Sequence, residues 1–163
     1  MQTELKFPLH LAFAAAALIG VSSFAATAHA GACPAGQERA DARTMGETMP
    51  KAVTDTEVGV VPLAKEIPGL DGRRLRLRRL VVQPGGIVPW HSHGDRPAII
   101  ATISGVLTEY RSTCAVGIDH VAGDVVAESN GVAHWWKNNG KVPAVVLSAD
   151  IKNDGLPPQD DHM

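Results

Sequence analysis

Short β-rich runs, separated by turns and uninterrupted by any long segment of helical period, dominate this chain from Thr56 onward. Gly, Pro, Asn and Asp separate the candidate strands, which span 57–63, 74–83, 87–93, 98–104, 106–112, 124–127, 133–137 and 144–151. Strands this short and closely spaced predict a single antiparallel all-β sandwich or barrel. We therefore predict an extended N-terminal arm over 31–55, a barrel domain over 56–152 and a flexible tail over 153–163.

The first thirty residues predict an export signal rather than part of the fold. A short start containing Lys6 precedes an apolar stretch over 9–24, which ends in Ala28-His29-Ala30, a site with small outer residues that suits a signal peptidase. An uncleaved anchor is the alternative, but polar residues leave its apolar core shorter than the roughly 18 to 20 residues that a bilayer needs. We expect cleavage after Ala30, a periplasmic or secreted protein, and no stable membrane insertion.

Charge and length exclude several classes of function. Residues 31–163 suffice for one domain with a real core but not for two. The chain has 15 Lys and Arg against 17 Asp and Glu, and this net charge of −2 implies no nucleic acid or other polyanionic partner. The one basic run, 73–79, alternates Leu75 and Leu77 with Arg76 and Arg78. This alternation predicts a half-buried strand whose arginines lie on the solvated face.

Two cysteines, Cys33 and Cys114, follow the predicted cleavage site. In an oxidising compartment an even pair favours a disulfide over two free thiols. Such a bridge would tie the N-terminal arm to the barrel. Acylation of Cys33 is the alternative, but the three residues before it are small and lack the large aliphatic side chain expected at a lipoprotein signal.

Three histidines carry the functional signal. His91 and His93 lie two apart in a predicted strand, so both imidazoles point to one face and can approach the same ion. His134 opens a later strand among apolar neighbours, where a neutral imidazole facing a dry interior needs a partner. Each feature alone is more often structural. A metal shared by all three imidazoles is the hypothesis that their combination favours.

The spacing around these histidines resembles the two sequence motifs of the cupin superfamily. The first motif is matched by Gly85, five residues, His91-Ser92-His93, four residues, Ala98, six residues and Gly105. The second is matched by Gly123, five residues, Ser129-Asn130-Gly131, two residues, His134, three residues and Asn138. The resemblance implies a double-stranded β-helix, or jelly-roll, barrel. It also implies one divalent transition metal (Fe, Mn, Ni, Cu or Zn) on His91, His93 and His134, and a homodimer formed through sheet edges and arms.

Two positions depart from the motifs. Ser129 replaces a usual proline, which changes only turn stiffness. Ala98 replaces the usual metal-binding glutamate, and a methyl group cannot coordinate an ion. Three neutral histidines leave the centre with a charge of about +2, which favours a small anionic ligand. Because some cupin-like dioxygenases look similar in using three histidines, one hypothesis is a metal-dependent oxygenase or related small-molecule enzyme. The other is a non-catalytic protein that binds a metal or a small anion.

Another carboxylate could replace the missing glutamate. Asp95 lies in a predicted turn, and the facing of Glu109 and Glu128, in or beside predicted strands, is open, with the outer face favoured for each. The substitution Ala98→Glu distinguishes the cases. It should tighten metal binding if a vacant position there faces the metal, and weaken it if Glu109 or Glu128 already fills the site.

Overall fold

The computed structural model describes residues 31–155, and strands make up nearly all the regular structure in this range. The strands are β1 (Lys51–Pro62), β2 (Arg73–Ser92), β3 (Ala98–Ser104), β4 (Val106–Arg111), β5 (Ile118–Val121), β6 (Val125–Glu128), β7 (Ala133–Lys137) and β8 (Ala144–Asn153). One short 3-10 helix, Leu63–Lys65, follows β1. Within this range no helix is long and apolar enough to cross a bilayer. The predicted signal sequence and the end of the predicted tail, 156–163, lie outside the described residues.

The strands form one curled antiparallel sheet. Their order is β5-β4-β7-β2-β8-β3-β6, and β1 adds to β2. Alternate residues of β2, β3, β4, β6, β7 and β8 point inward, where they form a core of Leu80, Val82, Val88, Ala98, Ile100, Leu107, Val126, Trp136, Ala144 and Val146. The predicted all-β jelly-roll fold is confirmed.

Three strand boundaries differ from the sequence prediction. β1 begins at Lys51, within the predicted arm, because its first residues pair with β2. The two strands predicted on either side of Pro84 form one strand, since Gly85 and Gly86 exchange backbone hydrogen bonds with Asn138. β5 was not predicted, because four residues are too few to show an alternation.

The arginines of β2 lie inside the barrel, so the prediction that they face solvent is wrong. Arg76 and Arg78 are 6% and 4% exposed, whereas Leu75 and Leu77 are 42% and 38% exposed. Arg76 donates two hydrogen bonds of 2.8 Å to the buried carboxylate of Asp150, its Cα partner on β8. A buried guanidinium is tolerated when a carboxylate pairs with it, and this partner lies 74 residues away in sequence.

The inverted orientation of β2 leaves an apolar outer face on the sheet. We use the term outer apolar face for Leu75, Leu77, Ile99, Ile103 and Val125, which are all exposed on β2, β3 and β6. The outward positions of the intervening β8 carry no charged side chain; they are Val145, Leu147, Ala149 and Ile151. Antiparallel sheets with one core face usually present polar residues on the other, so this face is unusual for an isolated domain.

The N-terminal arm is fastened to the barrel by the predicted disulfide, which is confirmed. Cys33 and Cys114 are bonded, with a Cα–Cα distance of 5.7 Å. Arg43 of the arm reinforces this attachment, since its guanidinium donates to the carbonyls of Arg111, Cys114 and Ala115. The arm therefore packs against the end of β4.

Removing the disulfide should destabilise the protein substantially. The bridge closes a loop between residues 81 positions apart, and loop-closure entropy at this length corresponds to about 4 kcal/mol. We expect the double variant Cys33→Ser/Cys114→Ser to lose about that much free energy of unfolding, measured by urea denaturation at constant pH. Alkylation of the unfolded, unreduced parent protein should modify neither cysteine. Equal stability of the two proteins would contradict this assignment.

Candidate metal centre

The three predicted histidines meet at one end of the barrel. His91 on β2 and His134 on β7 are Cα partners in adjacent strands. His93 follows β2 and stays beside β7 because its backbone N–H donates to the carbonyl of Val132. The Nε2 atom of His134 lies 3.1 Å from Nε2 of His91 and 3.1 Å from Nε2 of His93.

The backbone fixes the orientation of two of these imidazoles. Nδ1 of His91 donates to the carbonyl of Pro89 at 2.8 Å, and Nδ1 of His93 donates to the carbonyl of Arg96 at 2.7 Å. In a neutral ring this leaves the lone pair of Nε2 facing the cluster. Burial lowers the pKa of His91 well below its usual value, and the neighbouring His134 and His93 lower it further. His91 is therefore neutral and able to donate to a metal.

Glu128 joins the three histidines, so the expectation that it lies on the outer face is wrong. It is 2% exposed, because it continues the inward alternation of Val126 on β6. Its Oε2 lies 2.9 Å from Nε2 of His93. Its Oε1 lies 3.4 Å from Nε2 of His134 but is buried without a hydrogen bond. One ligand atom from each of the four residues lies within 4.8 Å of the others.

Glu128 occupies the place left open by Ala98. The two residues are Cα partners on β6 and β3, and both side chains are buried. A carboxylate on the neighbouring strand thus reaches the same part of the interior as a glutamate at position 98 would. Asp95 does not belong to the cluster. Of the two outcomes expected for Ala98→Glu, the geometry favours weaker metal binding, because Glu128 already fills the space that the added carboxylate would enter.

Glu109 is also buried, contrary to the expectation of an outer-face position, but it lies behind the cluster. Its carboxylate accepts hydrogen bonds from Nδ1 of His134 at 2.5 Å and from Nε2 of His120 at 3.0 Å. It also accepts two hydrogen bonds from Arg111, through Nε and Nη2. Burial alone would raise the pKa of Glu109. The hydrogen bonds from His120, His134 and Arg111 outweigh burial and hold this pKa well below its usual value, so the carboxylate is ionised.

The electrostatics of His134 favour a cation at the cluster. Burial lowers the pKa of its imidazole, but the carboxylates of Glu128 and Glu109 more than offset burial and raise it. Without a metal, a proton on this ring serves as the positive charge between two buried carboxylates. A metal ion can take the place of that proton.

The donor set fits a divalent transition metal. Three imidazole nitrogens and one carboxylate oxygen suit Zn, Fe, Mn, Ni or Cu. Ligands about 2.1 Å from one ion and at right angles to each other lie about 3 Å apart, close to the observed 3.1 Å between Nε2 atoms. The unpartnered Oε1 of Glu128 would gain a partner in such an ion. We find no conflict between these residues and a bound metal.

A small, largely apolar cavity adjoins the cluster. It is lined by His91, His93 and Glu128 together with Leu80, Val88, Ile100, Leu107, Trp136 and Val146, and by Arg78 and Ser148. Its volume is about 20 Å³, which is enough for about one water molecule. A ligand that reached the metal through this cavity would therefore be compact, unless the walls move.

The sequence contained a usable signal for both missed carboxylates. Glu109 is two residues from Leu107, and Glu128 is two residues from Val126. Extending the strand alternation from these apolar positions would have placed both carboxylates inside. The negative charge of both residues opposes that prediction, because a carboxylate is seldom buried without a partner.

Known proteins resemble this chain in both sequence and fold. Nectarin-1 of Nicotiana langsdorffii x Nicotiana sanderae is 32% identical over 122 residues, which cover 72% of this chain and 53% of nectarin-1. Germin-like protein subfamily 2 member 2 of Arabidopsis thaliana is 34% identical over 108 residues, or 64% of this chain and 47% of that protein. The chain thus spans about half the length of these relatives.

A solved structure supports the fold alone. An uncharacterised conserved protein with a double-stranded β-helix domain from Klebsiella pneumoniae matches with a TM-score of 0.50 and 18% identity, over 72% of this chain and 85% of that one.

The sequence model of the family described as Cupin matches residues 49–156. This match includes all eight strands and the four clustered residues. The chain therefore belongs to the cupin family.

Proposed function

We propose that this cupin binds one divalent transition metal ion through His91, His93, His134 and Glu128. The observation that carries the proposal is the convergence of one donor atom from each of four residues within 4.8 Å, and one oxygen of Glu128 is buried without a hydrogen bond. Glu128 lowers the charge of the loaded centre from about +2 to about +1. The mixed nitrogen and oxygen set suits Fe, Mn, Ni, Cu and Zn alike.

The activity that we propose is a metal-dependent, oxygenase-type transformation of a small molecule. Support comes from the compact apolar cavity beside the donor atoms, which keeps bulk water away from them. A bound redox-active metal would supply dioxygen chemistry that protein side chains cannot perform. The residual positive charge would favour an anionic ligand. The side chains around the site orient the donor atoms and limit the size of what enters.

Non-catalytic metal binding is the second candidate, and the number of donors favours it. Four protein ligands could complete a tetrahedral zinc site after a small outward shift of the imidazoles, and closed sites of this kind are structural rather than catalytic. Dioxygen uptake by the Fe(II)-loaded protein, tested with a panel of small carboxylates, thiols and diketones, separates the two candidates. Uptake with any of these supports the enzyme. Full metal loading without uptake, and without azide binding to the loaded metal, supports a binding protein.

We propose export and self-association as the setting for this activity. A disulfide between Cys33 and Cys114 is stable in an oxidising compartment, which suits a periplasmic or secreted protein.

The outer apolar face is a suitable surface for a second copy of the chain. Its five named side chains are apolar and exposed, so burying them against the same patch of a copy related by a two-fold axis would be favourable.

A dimer through the outer apolar face predicts a specific effect of charge. Sedimentation equilibrium should give a dimer for the parent protein and a monomer for Leu77→Asp/Ile99→Asp, because two carboxylates per copy would have to be buried. Val116→Asp is the matched control, since this exposed valine lies in the connection between β4 and β5, next to the segment that binds the N-terminal arm. A monomeric parent protein would contradict the proposal and leave the face to another partner.

Metal affinity tests the proposed centre. Titration of the metal-free protein with Mn(II), Fe(II) and Zn(II) should give one ion per chain. The variants His134→Ala and Glu128→Gln should each bind more weakly by at least the roughly 10- to 100-fold typical of losing a residue that only supports a ligand. Glu57→Gln, a change on the exposed side of β1, should bind as the parent does. Unchanged affinity in both cluster variants would refute the site.

A swap between adjacent strands tests the position of the carboxylate. Ala98→Glu alone should weaken binding, because it adds a second carboxylate beside the buried Glu128. The double variant Ala98→Glu/Glu128→Ala should bind more tightly than Glu128→Ala alone, because the two positions are Cα partners. Tighter binding by the single variant Ala98→Glu would show instead that position 98 faces a vacant coordination position.

A further inference from the structure

Glu109 is a buried charge that the proposed metal centre does not use as a ligand. It lies on β4, and its hydrogen bond to His134 is made through Nδ1, on the side of the ring opposite the other histidines. Its carboxylate oxygens accept hydrogen bonds from three side chains, those of His134, His120 and Arg111. A buried charge is costly to desolvate even when it is paired, so the position of Glu109 beside the cluster suggests a functional role.

Strand register accounts for this arrangement. Arg111 is the Cα partner of His134, and Glu109 is the partner of Trp136, so Glu109 and His134 are diagonal neighbours on the inward face. On the other side of β4, Leu107 is the partner of His120 on β5, which makes His120 a diagonal neighbour of Glu109. The three strands therefore place His120, Glu109 and His134 in one line.

His134 differs from the other two histidines in what holds its ring. His91 and His93 donate to backbone carbonyls, which are neutral acceptors. His134 donates to an ionised carboxylate, and charge-assisted hydrogen bonds are shorter and about twice as strong as neutral ones. Its Nε2 is also the atom that lies 3.1 Å from both other Nε2 atoms. A change in the orientation of this ring would therefore disturb the whole donor set.

We propose that Glu109 is a positioning residue, which keeps the proton of His134 on Nδ1 and turns its Nε2 toward the metal. Arg111 and His120 hold the carboxylate in place, and Arg111 also balances its charge. An imidazole that donates its N–H to a carboxylate becomes a more basic ligand, so Glu109 strengthens His134 as a ligand. This inference rests on the proposed metal centre.

The test compares Glu109→Gln and Glu109→Asp with the control Asp119→Asn in the full chain. Asp119 is an exposed carboxylate on neighbouring β5, bonded to Thr108 and outside the cluster. Glutamine can accept from His134, but its NH₂ group then faces donors of Arg111 or His120. We expect Glu109→Gln to bind Zn(II) roughly 10- to 100-fold more weakly than the parent protein. We also expect a shift of its Co(II) absorption bands, whereas Asp119→Asn should match the parent in both measurements.

Glu109→Asp keeps the charge and should recover part of the affinity and of the parent Co(II) spectrum. A purely structural role predicts no such recovery, since the shorter side chain leaves a cavity as well. If Glu109→Gln binds Zn(II) as tightly as the parent with the same Co(II) spectrum, the metal centre stands and the positioning role is refuted. If the parent protein binds neither Zn(II) nor Co(II), the proposed metal centre itself is refuted.

Discussion

Each buried charge inside this barrel requires a compensating partner. The buried carboxylate of Asp150 forms an ion pair with Arg76, and the buried carboxylate of Glu109 forms one with Arg111. Burial of an unpaired ion is costly, so each partner must be present and correctly placed for the strands to face as they do. For Asp150, the Arg76 hydrogen bonds and the charges of Arg78 and Arg76 overcome the opposing effect of burial and lower the pKa of its carboxyl. These pairs fix which face of β2 and β4 points inward.

The same constraint acts at the histidine cluster, where the buried carboxylate belongs to Glu128. Its carboxylate faces the Nε2 atoms of His93 and His134. A divalent ion bound among these groups, as proposed, would compensate the carboxylate and use three imidazole lone pairs at once. Because Glu128 and Ala98 are Cα partners, a sheet can supply a carboxylate at this place from either of two strands. The departure of Ala98 from the cupin motif therefore need not mean loss of a four-ligand centre.

The sequence predicted those features that depend on local pattern. The turn spacing predicted an all-β fold, the two cysteines predicted the disulfide, and the histidine spacing predicted three side chains that the structure brings together. Features that depend on pairing between distant segments were missed. The inward Arg76 of β2 requires Asp150, 74 residues away, and the inward Glu109 requires His134, 25 residues away, in addition to its nearer partners His120 and Arg111. Their burial becomes intelligible only once the register of the sheet is known.

The most direct test of the central claim is a crystal structure of the protein soaked with Zn(II), with data collected at the zinc absorption edge. The account predicts one strong anomalous peak per chain, bonded to Nε2 of His91, His93 and His134 and to a carboxylate oxygen of Glu128, at about 2.0 to 2.2 Å. Ala98 should make no contact with the ion. A peak elsewhere, or a Glu128 side chain turned away from a metal held by the histidines alone, would contradict a four-ligand centre completed from β6.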